Sequence, residues 1–237
     1  MNKSTALLEV KDITVSYGQT PVLFNVDMAV QPGEIVCLLG RNGVGKTTLL
    51  RSVIGLNRVV SGKIVFKADE ITHAPTFKRA RSGIAYIPQG REIVPYLSVL
   101  DNLMLGMSAG KKKYRKVPDE IFEFFPMLRQ HLNRQGGLLS GGQQQQLAIA
   151  RGLMSNPQMM LLDEPTEGIQ PSIVQEIEAT LRRINQEKGI TVVVVEQKID
   201  FARQLAERFF IMQKGAMVAS GATSELTDTL VHRYLAV

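Results

Sequence analysis

The stretch "EIVCLLGRNGVGKTTLLRSVIG", Glu34 to Gly55, decides the fold. Its apolar residues run unbroken from Ile35 to Leu39, a glycine follows, and a helically spaced segment begins near Lys46. An uninterrupted apolar run of this length reads as a strand buried on both faces, as strands are in parallel sheets sandwiched by helices. The turn between strand and helix, "GRNGVGKTT", matches G-x-x-x-x-G-K-[ST]. Glycines in such a turn let backbone N–H groups close around an anion, and the helix N-terminus adds its positive dipole end. Gly40, Arg41, Asn42, Gly43, Val44, Gly45, Lys46, Thr47 and Thr48 are therefore the candidate phosphate cradle. Lys46 is placed to reach outer phosphates and Thr47 to ligate magnesium.

Working outward, the same alternation recurs. "MMLLD" precedes a helical pattern from about Ser172 to Glu187, and "TVVVVE" precedes another from about Ile199 to Glu207, with "RFFIMQ" after it. Apolar strands alternating with amphipathic helices imply an α/β core with a mostly parallel sheet. Ahead of it, "LLEVKDITVSYG" and "TPVLFNVDMAV" alternate apolar and polar positions, as antiparallel strands do. Between about Gln89 and Ser155 the pattern turns helical, broken at Pro118, Pro126 and Gly136-Gly137, so an inserted helical subdomain is expected. The expected organisation is one domain over residues 1–237, with 1–88 and 156–237 forming the core and its N-terminal antiparallel β subdomain and 89–155 the helical part.

Bulk properties narrow the class. Hydrophobic content of 44% and charged content of 21% are those of a folded globular chain. The apolar runs fall well short of the roughly 18 residues of a membrane span, and "MNKSTALLEVKD" carries no secretory signal, so a cytosolic chain is expected. The single cysteine, Cys37, excludes an internal disulfide and reads as an inert core thiol. A net charge of +6 suits an anionic partner without choosing one. The basic run "KKKYRK", Lys111 to Lys116, reads as a solvated loop, because Tyr114 is the one aromatic in it.

Two further segments carry chemistry. "MMLLDEP" ends an apolar strand in two carboxylates. A phosphate cradle needs a nearby acid for the magnesium shell, which Asp163 fits, and Glu164 would project toward the γ-phosphate as a proton acceptor for attacking water. In "LLSGGQQQQLAIARGL", Ser140 and Gln143 form a capping box that explains the helix start. The consecutive glycines Gly141 and Gly142 need another reason, a close approach to the backbone, and a second anion site at this helix start is the reading they invite.

Tyr17 in "VSYG", the cradle, Gln89 in "IPQG", "LSGGQ" at Leu139 to Gln143, and "LLDEP" stand in the order and approximate spacing of the nucleotide-binding subunits of ATP-binding cassette (ABC) proteins. The resemblance covers nearly the whole chain and implies the P-loop NTPase (ABC ATPase) fold. It also implies two such subunits, alike or different, paired head to tail around two ATP molecules. Carried onto this sequence, Tyr17 would stack on adenine, and Lys46 and Thr47 would hold phosphate and Mg2+. Gln89 would bind the metal and sense the γ-phosphate, Asp163 would support the metal and Glu164 would be the general base. Ser140, Gly141, Gly142 and Gln143 would serve the opposite ATP.

The segments "LLGRNGVGKTTLL", "IAYIPQGREI", "LSGGQQQQLAIAR" and "DEPTEGIQPS" resemble the short ATP-binding subunits of branched-chain amino-acid-type importers, most closely those of bacterial urea transporters. The resemblance thus implies import of urea, or alternatively of a branched-chain amino acid or another amide or amino acid. It also implies a second ATPase subunit, two membrane permease subunits and a periplasmic solute-binding protein as partners, with no nucleic acid. The chain would sit peripherally on the cytoplasmic face of the plasma membrane.

Two positions depart from that family. Where most members end the strand after the magnesium acid in a histidine, this chain has Gln197; His73, His131 and His232 lie elsewhere. Gln170 stands where an aspartate is usual. Glutamine keeps a donor and an acceptor but cannot become cationic, so a working but altered catalytic site containing Gln197 is expected, paired with a different ATPase subunit. The competing readings are an ATP-holding subunit with little turnover and a soluble ABC ATPase of translation or DNA repair. The retained Glu164 argues against the first, and the lack of a second cassette or long coiled-coil insertion argues against the second.

Overall fold

The computed structural model describes residues 6–110 and 114–235. Lys111–Lys113 of the basic run and the first five residues lie outside them. In chain order the elements are β1 (Leu8–Tyr17), β2 (Thr20–Val30), β3 (Ile35–Leu39), α1 (Lys46–Ile54), β4 (Val59–Phe66), β5 (Asp69–Glu70), α2 (Thr76–Ser82) and β6 (Ile84–Ile87). The helical stretch follows with α3 (Val99–Gly106), α4 (Asp119–Phe124), α5 (Pro126–Gln130) and α6 (Gly141–Leu153). The chain then returns to alternation with β7 (Met159–Asp163), α7 (Pro171–Lys188), β8 (Thr191–Glu196), α8 (Ile199–Leu205), β9 (Arg208–Gln213), β10 (Ala216–Ala222) and α9 (Asp228–Tyr234).

Two sheets result. One is antiparallel with order β2-β1-β4-β5, and the other has order β10-β9-β3-β8-β7-β6. In the second, β9, β3, β8, β7 and β6 are mutually parallel and β10 closes the edge antiparallel to β9. The apolar runs are continuous because each central strand feeds two cores. Ile35, Cys37 and Leu39 join Met160, Leu162, Val192 and Val194 against α6, α7 and α8. Val36 and Leu38 join Leu161, Val193 and Val195 against α1 and the antiparallel sheet. Successive side chains of a strand point to opposite faces, so a strand serving both cores has no position for a polar residue until its end.

That packing places the polar residues. The C-terminal tips of β3, β8 and β7 are neighbours, in that order, and in an open α/β sheet ligands bind at those ends. Cys37 is buried inside β3, and burial, with the Glu196 carboxylate nearby, pushes its thiol well above the ordinary value, as an inert core thiol requires. Among the described residues no helix is long and apolar enough to cross a membrane.

Candidate active site

The cradle between β3 and α1 is built by glycine where nothing else fits. Gly45 has φ 110°, and a Cβ there would lie 2.6 Å from Leu23 Cδ2. The backbone N–H groups of Gly43 to Thr47 donate to no other group among the described residues. A cleft of about 320 Å3 opens above them, lined by Asn42, Gly45, Lys46, Thr47, Gln89 and Glu164 among others. Amides that face a cleft at a helix N-terminus form an anion site.

Lys46 is buried at the cleft floor, where its ammonium donates to the carbonyls of Gly40 (2.8 Å) and Arg41 (3.0 Å). It also pairs with Glu164 Oε1 at 3.3 Å, both side chains being buried. Thr47 Oγ1 donates to Asp163 Oδ1 at 3.0 Å, and the Tyr86 hydroxyl donates to Asp163 Oδ2 at 3.1 Å. Burial pushes the Asp163 carboxyl above its ordinary range, and the adjacent Glu164 adds to this; the hydrogen bonds from Thr47 and Tyr86 oppose it. Burial and the Asp163 carboxylate push the Tyr86 phenol up in turn, so it remains a donor.

Glu164 follows β7 with φ 47°, in the left-handed region. A non-glycine residue held there costs of order 1–3 kcal/mol, and such strain clusters at functional sites. Its carboxylate is held from the side by Gln197, whose Nε2 donates to Oε1 at 3.0 Å and Oε2 at 3.1 Å. The same nitrogen donates to Asn42 Oδ1 at 2.7 Å. Strand order explains this: β8 lies between β3 and β7, so the residue after β8 sits between the cradle and Glu164. Beneath it, the buried Glu196 carboxylate accepts from the backbone N–H of Thr166 (3.0 Å) and of Gln197 (3.1 Å), tying together the two turns that carry Glu164 and Gln197.

The structure thus brings Lys46, Thr47, Asn42, Gln89, Asp163, Glu164 and Gln197 into one site. Gln89 sits at its exposed rim, donating to Glu167 Oε2 at 2.9 Å. Tyr17 is exposed and its hydroxyl accepts from Asn57 Nδ2 at 2.8 Å, away from the cleft lining. Ser140 and Gln143 form the capping box the spacing predicts, with Gln143 N to Ser140 Oγ at 3.4 Å and Ser140 N to Gln143 Oε1 at 3.0 Å. Neither lines this cleft. The close approach that Gly141 and Gly142 imply is met inside the chain: a Cβ at Gly141 would lie 3.1 Å from the Arg91 guanidinium, and one at Gly142 only 2.6 Å from Ile173 Cγ2. Gln170 is the residue preceding α7. None of the three histidines lines the cleft.

Sequence reading missed Tyr86, Glu196 and Glu167. The rule that singled out Asp163, an acid ending an apolar strand, applies equally to Glu196 in "TVVVVE". Tyr86 carries no such signal, because its role depends on which strand lies beside β7. The donor set suits a hard divalent cation: Thr47 Oγ1, Asp163 and the Gln89 amide oxygen supply oxygen ligands, and Mg2+ takes few protein ligands, keeping water and phosphate oxygens. No cluster of three or more His, Cys, Asp or Glu occurs among the described residues, so a cage for a fully dehydrated metal is not what these residues build.

A family profile described as ABC transporter matches residues 23–167. The high-affinity branched-chain amino acid transport ATP-binding protein BraG of Pseudomonas aeruginosa is 38% identical over 213 residues, covering 90% of this chain and 91% of that protein. The probable branched-chain amino acid transport ATP-binding protein LivF of Archaeoglobus fulgidus is 31% identical over 223 residues, 94% of each. Among solved structures, the ATP-binding cassette MJ0796, a dimer in a post-hydrolysis state bound to ADP and Pi, matches with a TM-score of 0.82 at 28% identity, covering 91% of this chain and 98% of that one.

Proposed function

The chain belongs to the ABC transporter family, and on that premise we propose that it binds ATP with Mg2+ and hydrolyses it to energise a solute importer. The observation that carries this reading is the convergence of Lys46, Thr47, Gln89 and Glu164 on one cleft, with Asp163 hydrogen-bonded to Thr47 beneath it. The free amides of Gly43 to Thr47 and the Lys46 ammonium hold the β- and γ-phosphates; to engage Lys46, a phosphate oxygen exchanges against the Glu164 carboxylate now paired with it. That exchange frees Glu164 to face the γ-phosphorus. Thr47, Asp163 and Gln89 would hold the metal, which would neutralise charge on the phosphate oxygens.

Glu164 then takes a proton from a water whose oxygen bonds to the γ-phosphorus in line, as the bond from that phosphorus to the β,γ-bridging oxygen breaks and its electron pair stays with ADP. The γ-phosphoryl group becomes inorganic phosphate, which takes the proton back from Glu164. The Gln197 amide keeps both carboxylate oxygens of Glu164 in place and aligns the base rather than supplying a charge. Tyr17 supplies a platform for adenine. Ser140, Gly141, Gly142 and Gln143 act on the ATP of a second ATPase subunit, consistent with their lying outside this chain's own cleft.

ABC ATPase subunits pair and act with membrane permeases, and we place the permease contact along residues 89–103 and the adjoining seam. An apolar groove of about 370 Å3, lined by Leu56, Tyr86, Leu105 and Ala109 among others, lies just beyond the end of that stretch, between core and helical part. For the solute, the names of the BraG and LivF relatives favour a branched-chain amino acid; urea has only the likeness of the motif segments behind it. A periplasmic binding protein would deliver the solute, with this chain at the cytoplasmic membrane face.

Filter binding of radiolabelled ATP with Mg2+ tests the core of the reading. Retention by the native chain and its loss in Lys46→Ala is the expected result; equal retention by both overturns it. Uptake of labelled leucine against labelled urea by the assembled importer then decides the solute.

A further inference from the structure

Asp163 is gripped from two directions, and only one grip belongs to the cradle. Oδ1 is held by Thr47 at the start of α1, whereas Oδ2 is held by Tyr86 from a different strand. The register of β6 on β7 explains the reach. Tyr86 pairs with Leu161, two residues before Asp163. Residues two apart on a strand share a face, so the Tyr86 ring runs along the Leu161 side and its hydroxyl arrives at the carboxylate. A phenylalanine would fill the same space and leave Oδ2 without this donor.

We propose that Tyr86 is a positioning residue for the metal-binding carboxylate: its hydroxyl fixes the rotation of Asp163 so that one oxygen is presented to Mg2+. The inference rests on the reading of Asp163 as the metal acid. Carboxylates that bind metals depend on such partners, and losing one typically weakens metal affinity about 10- to 100-fold. Tyr86 is also among the residues that line the apolar groove.

The test is a calorimetric titration of Mg2+ into the full chain held with excess ADP, comparing native protein, Tyr86→Phe and Asp163→Asn, alongside thermal melting and ADP binding in EDTA. Tyr86→Phe is expected to raise the Mg2+ dissociation constant about tenfold while metal-free ADP affinity is unchanged. If Tyr86→Phe binds Mg2+ like the native protein while Asp163→Asn does not, Tyr86 has no positioning part and the inference falls alone. If Asp163→Asn also binds Mg2+ normally, the metal-site reading itself is wrong. Should Tyr86→Phe melt earlier yet keep native Mg2+ affinity, the hydroxyl is structural and the inference is overturned.

Discussion

Gln197 donates to two loops at once, to Asn42 on the cradle and to both oxygens of Glu164. Its position after an apolar strand was legible in "TVVVVEQK", but its bonds were not, because they depend on β8 lying between β3 and β7. The glycine-rich cradle and the two acids after "MMLL" could be read because backbone chemistry fixes their neighbours within a few residues. Tyr86, Glu167 and Glu196 act across strands and loops, which a linear pattern does not reveal. Once a phosphate oxygen has displaced Glu164 from Lys46, the Gln197 amide is the side-chain donor left on its carboxylate among the described residues, so without it the base is no longer aligned with the attacking water. Gln197→Ala in the assembled complex is therefore expected to lower kcat about 100-fold, the scale of one lost catalytic-site donor, with KM for ATP nearly unchanged because Lys46 and the backbone amides that hold the phosphates remain. Steady-state ATP turnover at varied ATP checks this, and a neutral outcome would remove Gln197 from the reaction.

At the scale of elements, the Gly-to-helix passage works because α1 is finished as carefully as it is begun. Its C-terminal carbonyls meet the buried Arg79 guanidinium, which donates to Ser52 O at 2.7 Å, Val53 O at 2.8 Å, Thr72 O at 2.8 Å and Ala74 O at 2.8 Å. A cation at a helix C-terminus is favoured by the macrodipole, and here it also joins α1 to the β5–α2 connection. Gly55, at φ 85°, leaves room for it, since a Cβ there would lie 2.7 Å from Arg79 Nε. Removing the guanidinium strands several buried carbonyls, each worth about 1–3 kcal/mol if left unpaired. Arg79→Ala is accordingly expected to lose about 3 kcal/mol or more in urea unfolding, and Arg79→Lys to recover only part, because one ammonium cannot match a planar fork of donors. The strands read correctly from sequence were β1 and β2, by their alternation, and the unbroken apolar ones, β3, β7, β8 and β9. β4 escaped because Ser61-Gly62 interrupts its alternation, with Gly62 at φ 86° beside a bulge in the pairing. β6 has four residues, and β10 is an edge strand of small side chains, "AMVASGA", so neither carries enough apolar period to be seen.

Across the whole molecule, Tyr86 links the apolar groove to the cleft: it lines the groove and donates to Asp163, whose other oxygen accepts from Thr47 in the cleft lining. The groove is bounded on one side by α3, whose Leu105 is 45% exposed, so a substitution there disturbs little of the core. If the groove receives a permease segment, a positive charge at its wall must be desolvated on docking beside Arg151, which lines the same groove, at a cost of several kcal/mol. Leu105 does not line the cleft, so the chemistry should survive. Leu105→Lys is thus expected to leave ATP turnover of the detergent-free ATPase subunits within about twofold of native, as for surface changes remote from a site. Solute uptake by the complete complex in vesicles should fall at least about tenfold, the factor that 1.4 kcal/mol of lost affinity gives. Measured side by side, the two assays separate the outcomes: a parallel fall in both would place the groove with the catalytic machinery, whereas uptake that survives the charge would send the permease to another face.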